Sequence, residues 1–455
     1  MEFSNQKTCE EQLRKLRIEL QLEQEHAQQL ERLLNHDPDT GLPQRHVLVR
    51  RLMKMVRDSG ETPFAYGIIR LDRRYQRIKY TRDRIKVLLY ITAERIKSIL
   101  GEGNVYQSDR SDEFLFVMEN AESEQAITEI IEEVQTAISE KHNAPASDLS
   151  FGSNVGVAVY PWHAQKLEEL EVNAEIALGI YERKREQGFL YTPELGERFH
   201  ENEALVHQMH QSIQDGFNGF YVVYQPIIDT DKTVMGCEAL MRWTVPGFGA
   251  IPPARFIPLA EENGYIRFLG KWVLYQALNQ IRLWRETHGT DFFMSVNLST
   301  VQLESPEILS DIETALTTLE LPGEVLHLEI TESSVMENPV EITSRLRAIR
   351  ELGVKIMVDD FGTGYSNLNY LHQFPVDTLK IAKEFIDVYP ADGGARELVR
   401  AIQGLAESFG FNTLAEGIER QEQFDALKTS GVHFIQGYIF SPPIDPAEFE
   451  EKYLM

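Results

Sequence analysis

Side chains able to do metal and acid–base chemistry recur along the second half of the chain: Glu238, Asn297, Glu329, Asp359 with Asp360, Lys380, Glu416 and Gln436. Taking Asp359 for the adjacent pair, the successive gaps are 59, 32, 30, 21, 36 and 20 residues. Gathered in one place, they would bring together five carboxylates, the amides of Asn297 and Gln436, and one ammonium. Five carboxylates cannot share a dry site unpaired, because repulsion and lost hydration disfavour their charged forms. Divalent cations resolve this, and oxygen donors from Asp, Glu and Asn suit Mg²⁺ or Mn²⁺. An adjacent Asp-Asp pair can bridge two ions, and a two-ion site clamps the attacking and leaving oxygens of a phosphoryl displacement. Lys380 would then orient or deprotonate water, or neutralise developing charge. The histidines add nothing, since His163, His288, His327, His372 and His433 show no ligand spacing.

Each of these residues stands at or just past the end of a short apolar run. The runs are Val222–Ile228, Val234–Met241, Phe292–Leu298, Val325–Ile330, Val354–Val358, Thr378–Ile381, Asn412–Leu414 and Val432–Ile439. Helical stretches separate most of them, such as Phe268–Trp284, Pro339–Leu352 and Ala395–Phe409. Eight strand–helix steps in about 250 residues is the size and rhythm of a (β/α)₈ barrel, which gathers its strand ends at one mouth. A single Glu reads as solvated loop surface. Seven positions in register with eight apolar runs do not.

The whole chain has 455 residues, a size for about three domains. An apolar fraction of 42% suits a large core rather than disorder. The formal net charge of −26 argues against nonspecific nucleic-acid binding and against docking on an anionic membrane. No apolar stretch is long enough to span a bilayer, and residues 1–10 lack an apolar signal core. Cys9 and Cys237 are too few and too far apart for a disulfide framework or a zinc site. The expectation is a reduced, cytoplasmic protein.

The chain opens on a helical pattern, residues 1–36, with Leu13, Leu16, Leu20, Ala27, Leu30 and Leu34 on heptad positions. It reads either as a dimerising or signalling stem or as a helix packed on the next domain. Asp37-Pro38-Asp39-Thr40-Gly41-Leu42-Pro43 breaks it. Residues 37–192 then mix strands (Ala65–Leu71, Phe114–Met118, Val155–Tyr160) with helices (Ile85–Leu100, Ala121–Ile138, Leu167–Lys184). That mixture fits an α+β domain on an antiparallel sheet. Residues 193–200, with Pro193 and Gly196, read as a linker into the region 201–455.

The second region resembles the EAL domain, the cyclic-di-GMP phosphodiesterase family. The matching segments are Tyr224-Gln225-Pro226, Glu238-Ala239-Leu240-Met241-Arg242-Trp243, Phe256-Ile257-Pro258-Leu259-Ala260-Glu261, Val296-Asn297-Leu298-Ser299 and Leu328-Glu329-Ile330-Thr331-Glu332-Ser333. They continue through Asp359-Asp360-Phe361-Gly362-Thr363-Gly364-Tyr365-Ser366, Leu379-Lys380-Ile381, Ala415-Glu416-Gly417-Ile418-Glu419 and Gln436-Gly437-Tyr438. The resemblance implies metal-dependent hydrolysis of cyclic di-GMP to the linear dinucleotide pGpG. It places two metals on Glu238, Asn297, Glu329, Asp359 and Asp360, with Glu416 completing or supporting that shell. It assigns the water to Lys380 with help from Gln436, and a substrate phosphate to Arg242, whose planar fork suits it. Gln225 and Glu419 would lie near substrate and Lys380. Glu332 would hold the loop from Asp360 to Ser366. One departure stands out: the family follows Leu-Lys-Ile with a metal-centre Asp, and here that position is Ala382.

The first region resembles the GGDEF domain, the diguanylate cyclase family. Asp37-Pro38-Asp39-Thr40-Gly41-Leu42-Pro43-Gln44-Arg45 matches its entry motif, and Val155-Gly156-Val157-Ala158-Val159-Tyr160-Pro161 its late strand. The signature reads Arg110-Ser111-Asp112-Glu113-Phe114, with both glycines replaced. The metal-binding Asp of the first strand reads Arg70, the nucleotide-side pairs read Lys79-Tyr80 and Asp83-Arg84, and the inhibitory Arg-x-x-Asp reads Gly101-Glu102-Gly103-Asn104. A degenerate cyclase in a regulatory or dimerising role is expected. The basic stretch Arg70–Arg84 reads as a solvated helix face or as a surface for an acidic partner.

The expected protein is therefore a bacterial phosphodiesterase that binds cyclic di-GMP, with an inactive GGDEF domain. EAL barrels pair side by side, so the resemblance also implies a homodimer, through the barrel or the stem. The alternative is a non-catalytic cyclic-di-GMP receptor that signals to a protein partner, which Ala382 favours. On the catalytic reading, Lys380→Ala abolishes turnover and spares the fold.

Overall fold

The computed structural model describes residues 21, 34–58, 62–71, 82–121, 123–139, 152–184, 190–332, 339–362 and 374–455. The heptad stem, apart from residues 21 and 34–36, lies outside them, as do Lys79-Tyr80 and residues 363–366 of the EAL-like loop. The chain forms two compact units that divide between Glu201 and Asn202. No described helix is long and apolar enough to cross a membrane.

The first unit is a four-stranded sheet in the order β2-β3-β1-β4, made of β1 (Phe64–Leu71), β2 (Val105–Gln107), β3 (Glu113–Glu119) and β4 (Ser153–Tyr160). Strand β1 is antiparallel to both β3 and β4. Side chains alternate between two faces, and each face has its own core. Ala65, Ile69, Phe114 and Val157 pack with the helices Arg82–Leu100 and Glu124–Ser139. Tyr66, Ile68, Leu115 and Ala158 pack with the helices Arg45–Asp58 and Leu167–Lys184. Gly156 lets the second of these lie close, because a Cβ there would strike the carbonyl of Ala174. The α+β sandwich expected from the pattern is present, with β2 as an added edge strand.

Residues 193–200, expected as a linker, are helical. They begin the helix Pro193–Gln214. Pro193 suits the first helical position, and Thr192 Oγ1 accepts from the amide of Leu195 at 3.4 Å.

The second unit is a closed eight-stranded barrel. Its strands are β5 (Phe220–Asp229), β6 (Val234–Val245), β8 (Phe293–Asn297), β9 (Leu326–Thr331), β10 (Lys355–Phe361), β11 (Thr378–Ile381), β12 (Asn412–Ala415) and β13 (Phe434–Ile435). β7 (Gly249–Ile251) adds a short hairpin to the far end of β6. All eight expected runs are strands, but the barrel is not uniformly parallel. β5 runs antiparallel to both of its neighbours, β6 and β13. The cause is local: only residues 230–233 join β5 to β6, too few for a crossover helix. Asp229 tightens that turn by accepting from the amides of Asp231 and Thr233, each at 2.8 Å.

Inward side chains fill the barrel in layers. Phe293 stacks on His327 at 3.8 Å between ring centroids and meets Phe434 edge-on, forming the floor. Gly236 leaves room for the Phe293 ring. Ile227, Met357 and Leu414 form the next layer. Two residues further along each strand the period of two brings up Ser295 and Asn297, Glu329, Asp359, Lys380, Glu416 and Gln436. The apolar layers beneath keep this polar mouth from opening through the barrel.

Candidate active site

The mouth contains two linked clusters. In the first, Glu238 has a donor on each carboxylate oxygen. Asn297 Nδ2 donates to Oε1 at 2.6 Å, and Gln436 Nε2 donates to Oε2 at 2.7 Å. Gln436 Nε2 also donates to Gln225 Oε1 at 3.0 Å, and Gln225 Nε2 to the carbonyl of Ser441 at 3.1 Å. Glu238 is thus fixed by two amides, and the Gln436 amide is fixed in turn by Gln225. The Gln436 Oε1 atom is buried without a hydrogen-bond partner among the described residues. Glu238 does not sit at a strand end, as the sequence suggested. It lies inside β6, opposite Ser295 and Gln225, because β6 runs on past the mouth.

The second cluster surrounds Lys380, which is 1% exposed. Its Nζ pairs with Glu329 Oε2, with Glu416 Oε1 at 2.5 Å and with Asp359 Oδ1 at 3.2 Å. Ser295 Oγ donates to the other Glu329 oxygen. Burial alone would lower the Lys380 ammonium; Glu329, Glu416, Glu238 and Asp359 outweigh that and hold it well above its ordinary value. Burial, then Glu238, pushes the Glu329 carboxyl well above the carboxylate range. Burial, against the pull of Lys380 and with Asp359 and Glu238 near, pushes Glu416 up to about 8.

Oxygens of Glu329, Asp359 and Glu416 all lie within 4.8 Å of one another. The mouth therefore gathers more carboxyls than one ammonium offsets, and burial makes Glu329 and Glu416 resist ionising. A divalent cation relieves both strains, so the residues present fit one. Asp360 follows on the exposed rim in a left-handed conformation, φ 53°, its amide donating to Asp359 Oδ1 at 2.9 Å. Glu332 is buried and accepts from the amide of Gly362 at 3.1 Å, which anchors the start of the loop as expected.

Gln225 and Glu419, expected near substrate and Lys380, bond other partners. Gln225 is buried and bonds Gln436 rather than Lys380. Glu419 is exposed and accepts from Lys383 Nζ at 2.9 Å. Lys383 follows Ala382 and projects at the rim, so it reaches Glu419 while Lys380 turns inward. Arg242 is half-buried on β6, its Nη1 donating to the carbonyl of Met241 at 2.9 Å. Ala382 is buried at the N-cap of the helix Lys383–Asp387 and offers that helix no capping side chain. Sequence reasoning missed Ser295. The available signal was its place two residues before Asn297, on the same inward face.

In the first unit, the signature Glu113 is buried and held by Arg70 through Nε at 3.0 Å and Nη2 at 2.9 Å. Ser108 Oγ donates to its other oxygen at 2.7 Å. Arg51 donates to Asn104 Oδ1 at 3.0 Å, in the segment that aligns with the inhibitory motif.

The family described as EAL domain matches residues 210–443, and that described as diguanylate cyclase, GGDEF domain, matches residues 34–188. This chain is a tandem GGDEF–EAL protein. It is 33% identical over 441 residues to the oxygen sensor protein DosP of Escherichia coli, covering 94% of this chain and 53% of DosP. It is 31% identical over 434 residues to the bifunctional diguanylate cyclase/cyclic di-GMP phosphodiesterase MucR of Pseudomonas aeruginosa, covering 92% of this chain and 62% of MucR. The tandem chain thus spans little more than half the length of these curated relatives. The solved PaMucR phosphodiesterase in complex with c-di-GMP superposes with a TM-score of 0.52 at 34% identity, covering 54% of this chain and 99% of that one. The barrel that carries this mouth is accordingly the EAL domain of this GGDEF–EAL protein.

Proposed function

We propose that the EAL barrel hydrolyses cyclic di-GMP to linear pGpG. The observation that carries this is the buried Lys380 ammonium among Glu329, Asp359 and Glu416, at the mouth of a barrel whose MucR relative is a phosphodiesterase with c-di-GMP bound. Glu238, Asn297, Glu329, Asp359, Asp360 and Glu416 would hold two Mg²⁺ or Mn²⁺ ions, which supply Lewis acidity and a water acidic enough to lose a proton near neutral pH. Arg242 binds a substrate phosphate, with Glu419 at the rim. Gln436 Oε1, buried without a partner among the described residues, accepts a hydrogen bond from the attacking water and aligns it. Water oxygen bonds to phosphorus, the P–O3′ bond breaks, and the proton that the water gives up balances the one the leaving oxygen takes to become a hydroxyl. Lys380 keeps its proton on Nζ and offsets charge growing on the phosphoryl oxygens. Glu332 keeps the loop after Asp360 in place at Gly362.

The GGDEF unit is read as catalytically inactive and regulatory. Arg70 puts a cation against Glu113 where the cyclase family has a metal-binding Asp, and Arg110-Ser111 replace the glycines that admit nucleotide. This reading places the protein in the bacterial cytoplasm, working on a soluble messenger. One observation favours a second reading, a receptor that holds cyclic di-GMP without cutting it: Ala382 brings no carboxylate to the mouth.

Purified protein incubated with cyclic di-GMP and Mg²⁺, then Mn²⁺, should yield the linear dinucleotide by chromatography. It should yield no cyclic di-GMP from GTP. Intact substrate together with calorimetric binding would establish the receptor instead.

A further inference from the structure

We propose that Ser295 is a positioning residue for the cation centre: its hydroxyl fixes Glu329 so that one carboxylate oxygen is reserved for the mouth. The proposal rests on reading that mouth as a divalent-cation site. Ser295 is fully buried on β8, between Phe293 of the floor and Asn297 of the mouth. Its Oγ donates to Glu329 Oε1, while Oε2 of the same carboxylate meets Lys380 Nζ. The Glu329 side chain is fully buried, so water cannot replace a missing donor. Among the described residues, the Ser295 hydroxyl also meets the Met357 thioether at 3.4 Å, a weak acceptor that leaves the proton to Glu329. A carboxylate with one oxygen pinned from below and the other aimed upward cannot rotate away from Asp359 and Glu416. Removing the pin frees Glu329 to turn and leaves Oε1 buried with no donor.

The test is direct cation binding, which does not need turnover. Metal-stripped full-length protein is titrated with Mn²⁺ by calorimetry and by electron paramagnetic resonance, with melting curves to check the fold. Ser295→Ala and Ser295→Cys should weaken Mn²⁺ binding by about 10- to 100-fold, as loss of an outer hydrogen-bond partner does. Ser295→Thr keeps the hydroxyl and should restore most of the affinity. A serine needed only for packing would change the melting temperature and leave affinity alone. If Ser295→Ala does not fold, Ser295→Cys decides, since it keeps the volume and loses the strong donor. Folded variants that bind Mn²⁺ as tightly as the wild type overturn the role of Ser295. A wild-type chain that binds no Mn²⁺ overturns the cation reading itself, and this proposal with it.

Discussion

The Nζ of Lys380 stands 2.5 Å from Oε1 of Glu416, and the same ammonium also bonds Glu329 and Asp359. Without a bound cation, one lysine is the counter-ion of three carboxylates. It therefore has a structural duty beside any chemical one.

Lys380→Ala should abolish hydrolysis, but it should not leave the fold untouched, as its sequence position alone suggested. Breaking a buried ion network by deleting one partner typically costs about 3–5 kcal/mol. The metal-free variant should melt clearly below the wild type, and Mn²⁺ should recover part of the difference. Calorimetric melting with and without Mn²⁺ checks this. Equal melting temperatures in metal-free buffer would contradict it.

Gln225→Leu separates positioning from substrate contact. Gln225 is buried and bonded to Gln436 and to the Ser441 carbonyl. Its loss should lower kcat by about tenfold, the size of an outer-partner effect, and leave KM within about twofold. A raised KM at constant kcat would show instead that Gln225 touches the nucleotide.

Ala382→Asp adds a carboxylate at the mouth and a cap to the helix Lys383–Asp387, whose N-cap is extended, φ −57° and ψ 143°, with no side-chain bond. Turnover should rise, and an N-cap of this kind stabilises by about 0.5–2 kcal/mol. Rate and melting temperature are measured together. A higher melting temperature with an unchanged rate would mean that the centre already works fully with alanine.

His163 makes the first unit sensitive to acid. Burial lowers its pKa below 6.5, and its Nδ1 accepts from the amide of Val159 at 3.0 Å, a bond that protonation destroys. The unfolded chain therefore takes up this proton first as pH falls. The contribution is fully present above about 6.5, the unfolded value, and declines as pH drops from there toward the folded value. Hydrogen exchange of β4 peptides, corrected for intrinsic rates, should show protection falling over that window in the wild type. His163→Gln should flatten the fall.

Much of the site was legible because barrels turn sequence spacing into convergence. Asp359 and Glu416 stand just past the end of an apolar run, Glu238, Glu329, Lys380 and Gln436 lie within one, and all six arrive at the mouth. Strand direction was harder to read, since alternation by two is the same in either sense. The four-residue link between β5 and β6 was the clue to the hairpin. Ser295 escaped notice because a serine within an apolar strand reads as packing. The bond from Lys383 to Glu419 was not legible either, because motif position does not say which lysine a carboxylate meets.

Gln225 belongs to the first strand of the barrel, yet its two partners, Gln436 and Ser441, come 211 and 216 residues later. Contacts of such separation form late, after the intervening chain has been ordered. A ribosome must therefore make residues through Ser441 before Gln225 has both of its partners. A copy terminated before Gln436 has neither partner, so the proposed site is completed only once the end of the barrel has been made.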